Sequence, residues 1–154
     1  MIGLLQRVTG ASVTVDGACV GAIGPGLLVL VGVQRNDGAR ERDRLLERLL
    51  DYRVFPDADG RMNRSLRDTG GGLLLVPQFT LAADTRKGTR ACFGPAAEPE
   101  HGRALFEELV AGAGRLHAPV AAGRFGADMQ VTLTNDGPVT FWLEARPPSE
   151  PSGH

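Results

Sequence analysis

The sequence predicts a single α/β domain, a mixed β-sheet with two main helices on one side. Three observations predict it. The length of 154 residues is that of one domain, and such a chain buries about 68–70% of its unfolded surface without a disulfide or metal staple. Two apolar runs without alternation, at 27–33 and 72–76, suit central strands covered on both faces. Helical periodicity follows each run, and alternating strand patterns occupy both ends of the chain.

Taken in order, residues 2–8 and 11–15 read as two short strands separated by Thr9-Gly10, the second alternating through Val13 and Val15. Asp16-Gly17 is a hairpin signal, because both residues tolerate positive φ, and 19–23 returns. After Gly24-Pro25-Gly26 comes the first buried run. Asn36-Asp37-Gly38 breaks it, with Asp37 as the expected helix N-cap. From 39 to 52, Leu45, Leu46, Leu49 and Leu50 share one helical face. Residues 55–70 read as a turn-rich excursion, and the second buried run leads into Pro77-Gln78-Phe79-Thr80-Leu81.

Pro99 marks the first turn of a second helix, striped by Leu105, Phe106, Leu109 and Val110, with Gly112 and Gly114 expected to end it. Strands are expected at 120–125, 129–134 and 139–143, with Asn135-Asp136-Gly137-Pro138 connecting the last two. The domain spans 1–145, and the polar, Pro-rich residues 146–154 read as a disordered tail.

Hydrophobic residues are 42% of the chain, charged residues 23%, and the net charge is −1. That balance excludes wholesale disorder and any global basic field for nucleic acid or membrane. Sixteen arginines accompany a single lysine, Lys87, a bias attributed to coding preference. Cys19 and Cys92 lie far apart and read as small apolar fillers in a reduced, cytoplasmic protein. No signal peptide or membrane span is expected. His101, His117 and His154 have no metal-ligand spacing, so neither metal nor cofactor is expected. Walker A, G-x-S-x-G and H-E-x-x-H motifs are absent.

Two stretches remain over-specified for plain structure. Gln78-Phe79-Thr80 either caps a strand end around a buried Phe, or presents backbone N–H groups and side chains to a developing oxyanion. Asn135-Asp136-Gly137-Pro138-Val139-Thr140 is either ordinary turn chemistry or a special backbone feature.

Together these stretches resemble the D-aminoacyl-tRNA deacylase family. Ala11-Ser12-Val13-Thr14-Val15, Met62-Asn63, Gln78 through Thr85, Gly123-Arg124-Phe125 and Ala127 through Val131 extend the resemblance over nearly the whole chain. It implies a three-layer α/β/β fold and a homodimer whose sites form between subunits. In such a site a cis Gly137-Pro138 enters the partner's pocket, and its two carbonyls receive the substrate's α-ammonium. Gln78, Phe79 and Thr80 are then the catalytic residues, with backbone groups polarising the ester and Thr80 positioning it. Arg7 and Met129 shape the pocket, and Asn135 belongs to the Gly-Pro motif. The implied substrate is D-aminoacyl-tRNA, engaged through its 3′-terminal adenosine and acceptor stem, with glycyl-tRNA mischarged on tRNA-Ala also accepted and L-aminoacyl-tRNA rejected.

The chain departs from the family pattern in two places. Pro77 stands where most members have Ser, deleting a hydroxyl and an N–H, and Ala91-Cys92 replaces Pro-Ser before Phe93. Two rivals stay open: a sister deacylase with a trans Gly-Pro acting on small L-aminoacyl-tRNAs, and a non-catalytic nucleic-acid-binding protein of the same fold.

Overall fold

The structure, a computed structural model, describes residues 1–147. Most of the expected tail therefore lies outside the described residues; Arg146, at its start, pairs with Glu144 at 2.9 Å.

Strand β1 (Ile2–Val15) organises the sheet. Its first half pairs antiparallel with β3 (Gly26–Gly32), from Ile2 opposite Gly32 to Val8 opposite Gly26. Its second half pairs with β2 (Ala18–Ile23), from Ala11 opposite Ile23 to Val15 opposite Ala18. The two strands expected on either side of Thr9-Gly10 are thus one strand that changes partners there. After α1 (Ala39–Asp51), a small hairpin of β4 (Phe55–Pro56) and β5 (Met62–Arg64) and the single turn α2 (Leu66–Thr69) fill the turn-rich excursion. Strand β6 (Gly72–Pro77) joins β3 in parallel, and β7 (Val120–Ala122) joins β6 in parallel after the crossover through α3 (Pro99–Leu116). The final strand, β8 (Gln130–Glu144), runs along the other side of β1.

The two unpatterned apolar runs are covered on both faces. Leu27, Val29, Leu73 and Leu75 point to the helices and pack with Leu45 and Leu49 of α1 and Leu105 and Leu109 of α3. Leu28, Leu74 and Val76 point the other way, into a second cluster with Val8 and Val13. Each such buried side chain contributes about 1.5–3 kcal/mol relative to exposure. The sheet curls so that β2 approaches β7, and a Cβ on Gly21 would stand 2.9 Å from the Ala122 carbonyl. Helices, sheet and curled strands make the α/β/β layering.

Several local expectations are corrected. Gly38, not Asp37, caps α1, because Asp37 is buried against the Met1 α-ammonium at 2.8 Å and accepts from the Gln34 N–H at 2.7 Å. The cap is completed by Glu41, whose carboxylate accepts from the Gly38 N–H at 2.8 Å. Helix α3 runs through Gly112 and Gly114 to Leu116. Leu109 and Ala113 are fully buried there, and that packing offsets the roughly 1 kcal/mol cost of each glycine. Both cysteines are exposed rather than core fillers.

Candidate active site

Strand β6 ends level with β3. Pro77 lies opposite Val31, and the Gln78 N–H donates to the Val31 carbonyl at 2.7 Å. The register therefore survives the amide that proline lacks. The chain then tightens into a 3-10 turn, Phe79–Ala82, closed by Leu81 N–H to Gln78 O at 3.2 Å and Ala83 N–H to Thr80 O at 3.1 Å. At the start of such a turn the amides of Phe79 and Thr80 have no acceptor within the turn. The Gln78 side-chain amide donates to the Thr80 hydroxyl and links the motif's two polar side chains.

Phe79 is 58% exposed, which overturns the reading of a strand end built around a buried Phe. Its ring leans on Phe93, with centroids 5.3 Å apart. Beside it opens a mainly apolar cavity of about 260 Å³, lined by Val31, Pro77, Phe79, Phe106 and Phe125 among others. Gly102 of α3 also lines it, and a Cβ there would stand 3.3 Å from the Phe125 ring. Met129 reaches this end of β6: its sulfur and Pro77 Cδ would lie 2.8 and 3.3 Å from a Cβ on Gly123. The Met129 sulfur also accepts from the Arg124 N–H at 3.4 Å.

Gly137-Pro138 occupies a different place. It was expected in a connector between two strands, but residues before and after it belong to one strand that keeps pairing with β1. Thr140 lies opposite Gln6 and Asn135 opposite Val8, so four residues of β8 bulge out opposite Arg7 alone. The Gly137–Pro138 peptide bond is cis, and Gly137 sits at φ +127°. Two side chains fix the base of this bulge. The Asn135 amide donates to the carbonyls of Arg7 at 3.1 Å and Val139 at 3.0 Å, bridging the strands. The mostly buried Arg7 guanidinium donates to the Val54 carbonyl at 2.7 Å and to the Asp136 carbonyl at 3.2 Å. Asp136, Gly137 and Pro138 are exposed at the tip.

Arg7 and Asn135 therefore support the Gly-Pro tip, whereas Met129 lies by Gly123 at the end of β6 that leads into Gln78-Phe79-Thr80. The fold does not bring the two groups together in one chain. Val31 is level with Gly3, and the tip is level with Arg7, about 13 Å further along the strand direction. Three strand spacings, about 14 Å, separate β8 from β6 across the sheet.

Of these features, sequence reading missed the Val54 carbonyl, the Asp136 contact and the Phe125 and Phe106 cavity walls. Gly102 was a usable signal, since a glycine inside the first turns of a helix marks close approach by another group. No metal-holding cluster of His, Cys, Asp or Glu occurs among the described residues. His101 and His117 each bond a backbone carbonyl, of Asp37 and Gly71 respectively, at 2.6 Å. Next to the 3-10 turn, Arg86 clasps Asp84 with contacts of 2.9 and 2.7 Å. Those bonds hold the Asp84 carboxyl down at about 2.

A family model described as D-Tyr-tRNA(Tyr) deacylase matches residues 4–144. A D-aminoacyl-tRNA deacylase of Thioalkalivibrio sulfidiphilus is 69% identical over 148 residues, covering 96% of this chain and 99% of that one. That of Methylococcus capsulatus is 65% identical over 153 residues, covering 99% and 100%. Among solved structures, one named c-Myc DNA Unwinding Element Binding Protein superposes with a TM-score of 0.91 at 37% identity, covering 96% of this chain and 100% of that one. With matches of this extent across every element that builds the site, the chain belongs to the D-aminoacyl-tRNA deacylase family.

Proposed function

We propose that this chain hydrolyses the ester bond of D-aminoacyl-tRNA, and that two copies pair so that the Gly137-Pro138 tip of each enters the other's site beside Gln78-Phe79-Thr80. The observation that carries the reading is the separation of two exposed motifs. One offers amide donors next to an apolar cavity, the other offers backbone carbonyls on a braced tip, and neither alone can hold both ends of an aminoacyl ester.

In the composite site the terminal adenosine's base enters the cavity lined by Phe79, Phe106 and Phe125, and the acceptor stem stays outside. The amides of Phe79 and Thr80 polarise the ester carbonyl and stabilise the oxyanion that forms when water attacks. The 2′-OH of the terminal ribose assists beside the leaving oxygen. The carbonyls of Gly137 and Pro138 accept from the α-ammonium, which offers only donors. With ester and ammonium both fixed, an L side chain points into backbone and a D side chain points outward. Discrimination is then steric refusal of one enantiomer. Glycyl-tRNA, including that mischarged on tRNA-Ala, passes the same test because it has no side chain to refuse. Pro77 fits this scheme, since it walls the cavity and no step uses a hydroxyl at that position. The site of action is the cytoplasm, where aminoacyl-tRNA is made and used.

A mixing experiment tests the shared site. Phe79→Pro removes an amide from one half-site, and Gly137→Val distorts the other. After subunit exchange between these two weak variants, half the dimers are mixed, and each mixed dimer holds one intact site. Recovery of about a quarter of parental D-tyrosyl-tRNA hydrolysis is expected. An active monomer in sedimentation, or exchanged dimers without recovery, overturns the shared site. The name of the similar structure, a DNA-binding protein, favours one alternative, a nucleic-acid binder without catalysis; a parental protein that binds tRNA and leaves D-tyrosyl-, L-tyrosyl- and L-alanyl-tRNA intact would establish it.

A further inference from the structure

The segment between Asp84 and Phe93 takes no part in the chemistry above, yet it is built against the site. Its ends are tied by reciprocal backbone bonds, Asp84 N–H to Cys92 O at 2.7 Å and Cys92 N–H to Asp84 O at 2.9 Å. Its far end delivers Phe93 onto the Phe79 ring. Between the ties, Thr85 to Ala91 are all exposed. Residues 85–97 carry three cations, Arg86, Lys87 and Arg90, and no carboxylate. In a chain of net charge −1 with a single lysine, that lysine stands here. Arg86 is already paired with Asp84, whereas Lys87 and Arg90 have no ion-pair partner among the described residues. Arg35 extends the patch, because its Nε donates to the Gly94 carbonyl at 3.0 Å.

We infer that this loop is the docking element for the phosphodiester backbone of the substrate's acceptor stem, an inference that rests on the deacylase reading. Two free cations on a tied loop, one aromatic stack away from Phe79, can grip phosphates adjoining a 3′ end seated in the cavity. Asp84 holds Arg86 back, so Lys87 and Arg90 supply the neutralising charge. Contacts of this kind position the nucleic acid without reading its sequence.

The test compares two substrates with and without the stem, D-tyrosyl-tRNA and 3′-O-D-tyrosyl-adenosine, using the intact protein and a Lys87→Ala/Arg90→Ala variant. The variant is expected to raise KM for the tRNA roughly tenfold with kcat unchanged, to flatten its log–log salt dependence by about one per lost contact, and to treat the adenosine ester as the parent does. Lys87→Arg/Arg90→Lys should restore tRNA binding. Unchanged KM for tRNA at low salt overturns the inference, as does equal loss on both substrates, which would place the loop's effect in the cavity itself. If the parent hydrolyses neither substrate, the deacylase reading falls and the loop's role falls with it.

Discussion

The guanidinium of Arg7 grips Asp136 at two points, with Nε 3.2 Å from its backbone carbonyl and 3.3 Å from its carboxylate. A third bond, Nη1 to the Val54 carbonyl at 2.7 Å, anchors the same side chain to the segment after α1. The Gly137-Pro138 tip is therefore braced by β1 and by the helical layer's edge together.

Arg7→Ala should cost about 2 kcal/mol of stability, the range for hydrogen bonds to a charged group, and lower D-aminoacyl-tRNA hydrolysis at least tenfold. Arg7→Lys should rescue little, because an ammonium cannot reproduce the guanidinium's spread of donors. Thermal unfolding beside single-turnover hydrolysis measures both. A stable, fully active Arg7→Ala protein would show that the tip stands without its brace.

Thr80→Ala should lose no more than about tenfold in rate, because a positioning hydroxyl contributes about 0.5–1.5 kcal/mol and 1.36 kcal/mol is one decade. Gly137→Ala should lose more. At φ +127° its Cβ would meet Val139 Cγ2 at 2.8 Å and Arg7 Nη2 at 3.2 Å, pushing the tip off its brace. Discrimination between D- and L-tyrosyl-tRNA should fall with the rate. If Thr80→Ala is inert and Gly137→Ala stays fast and D-selective, a side chain is the catalyst.

The backbone amide can be tested separately from the ring. Phe79→Ala and Phe79→Pro both remove the phenyl group, but only proline removes the N–H. Position 79 opens a turn and Gln78 before it lies outside the α region, at φ −143° and ψ 85°, so proline avoids the clash that an α-conformation residue before it would create. The proline variant should be about 10²–10³ slower than the alanine variant, the effect of one oxyanion donor. Equal rates in the two would remove the amide from the mechanism.

Glu41 gives a pH dependence. Its bond from the Gly38 N–H holds the carboxyl below its ordinary value of 4.5. A folded-state value lowered in this way contributes stability above the unfolded value, and that contribution is lost as pH falls through the folded one. Glu41→Ala should therefore cost about 1 kcal/mol at pH 7, as for a lost cap, or about 2–4 °C in midpoint for a chain of this size. The gap from the parent should close as pH drops below 4.5. A constant gap down to pH 3 would place Glu41's contribution in packing instead of charge.

The parts legible in the sequence are those written in local pattern. The apolar runs at 27–33 and 72–76 announced two-sided burial, and Leu45 to Leu50 announced α1. Gln78-Phe79-Thr80 stood out as polar residues bracketing an aromatic at a strand end. What could not be read were pairings between distant segments. Asn135-Asp136-Gly137-Pro138 has turn chemistry, and nothing local says that the strand on each side pairs with the same neighbour in the same direction. Asp37 has the composition of an N-cap, and only tertiary contact shows that the Met1 ammonium claims it. The exposure of Phe79 depends on Phe93 and on the cavity, both assembled from elsewhere in the chain.

The pairing of β1 with β8 joins the first strand to the last, Ile2 opposite Glu144 and Thr14 opposite Gln130. Closing a loop of nearly the whole chain must precede any gain from those contacts, which slows folding. During synthesis β1 waits, unpaired on that side, until the final strand has emerged. The Arg7 brace waits with it, since Asp136 and Asn135 arrive on β8. An unfinished chain thus has the β6 end without the tip.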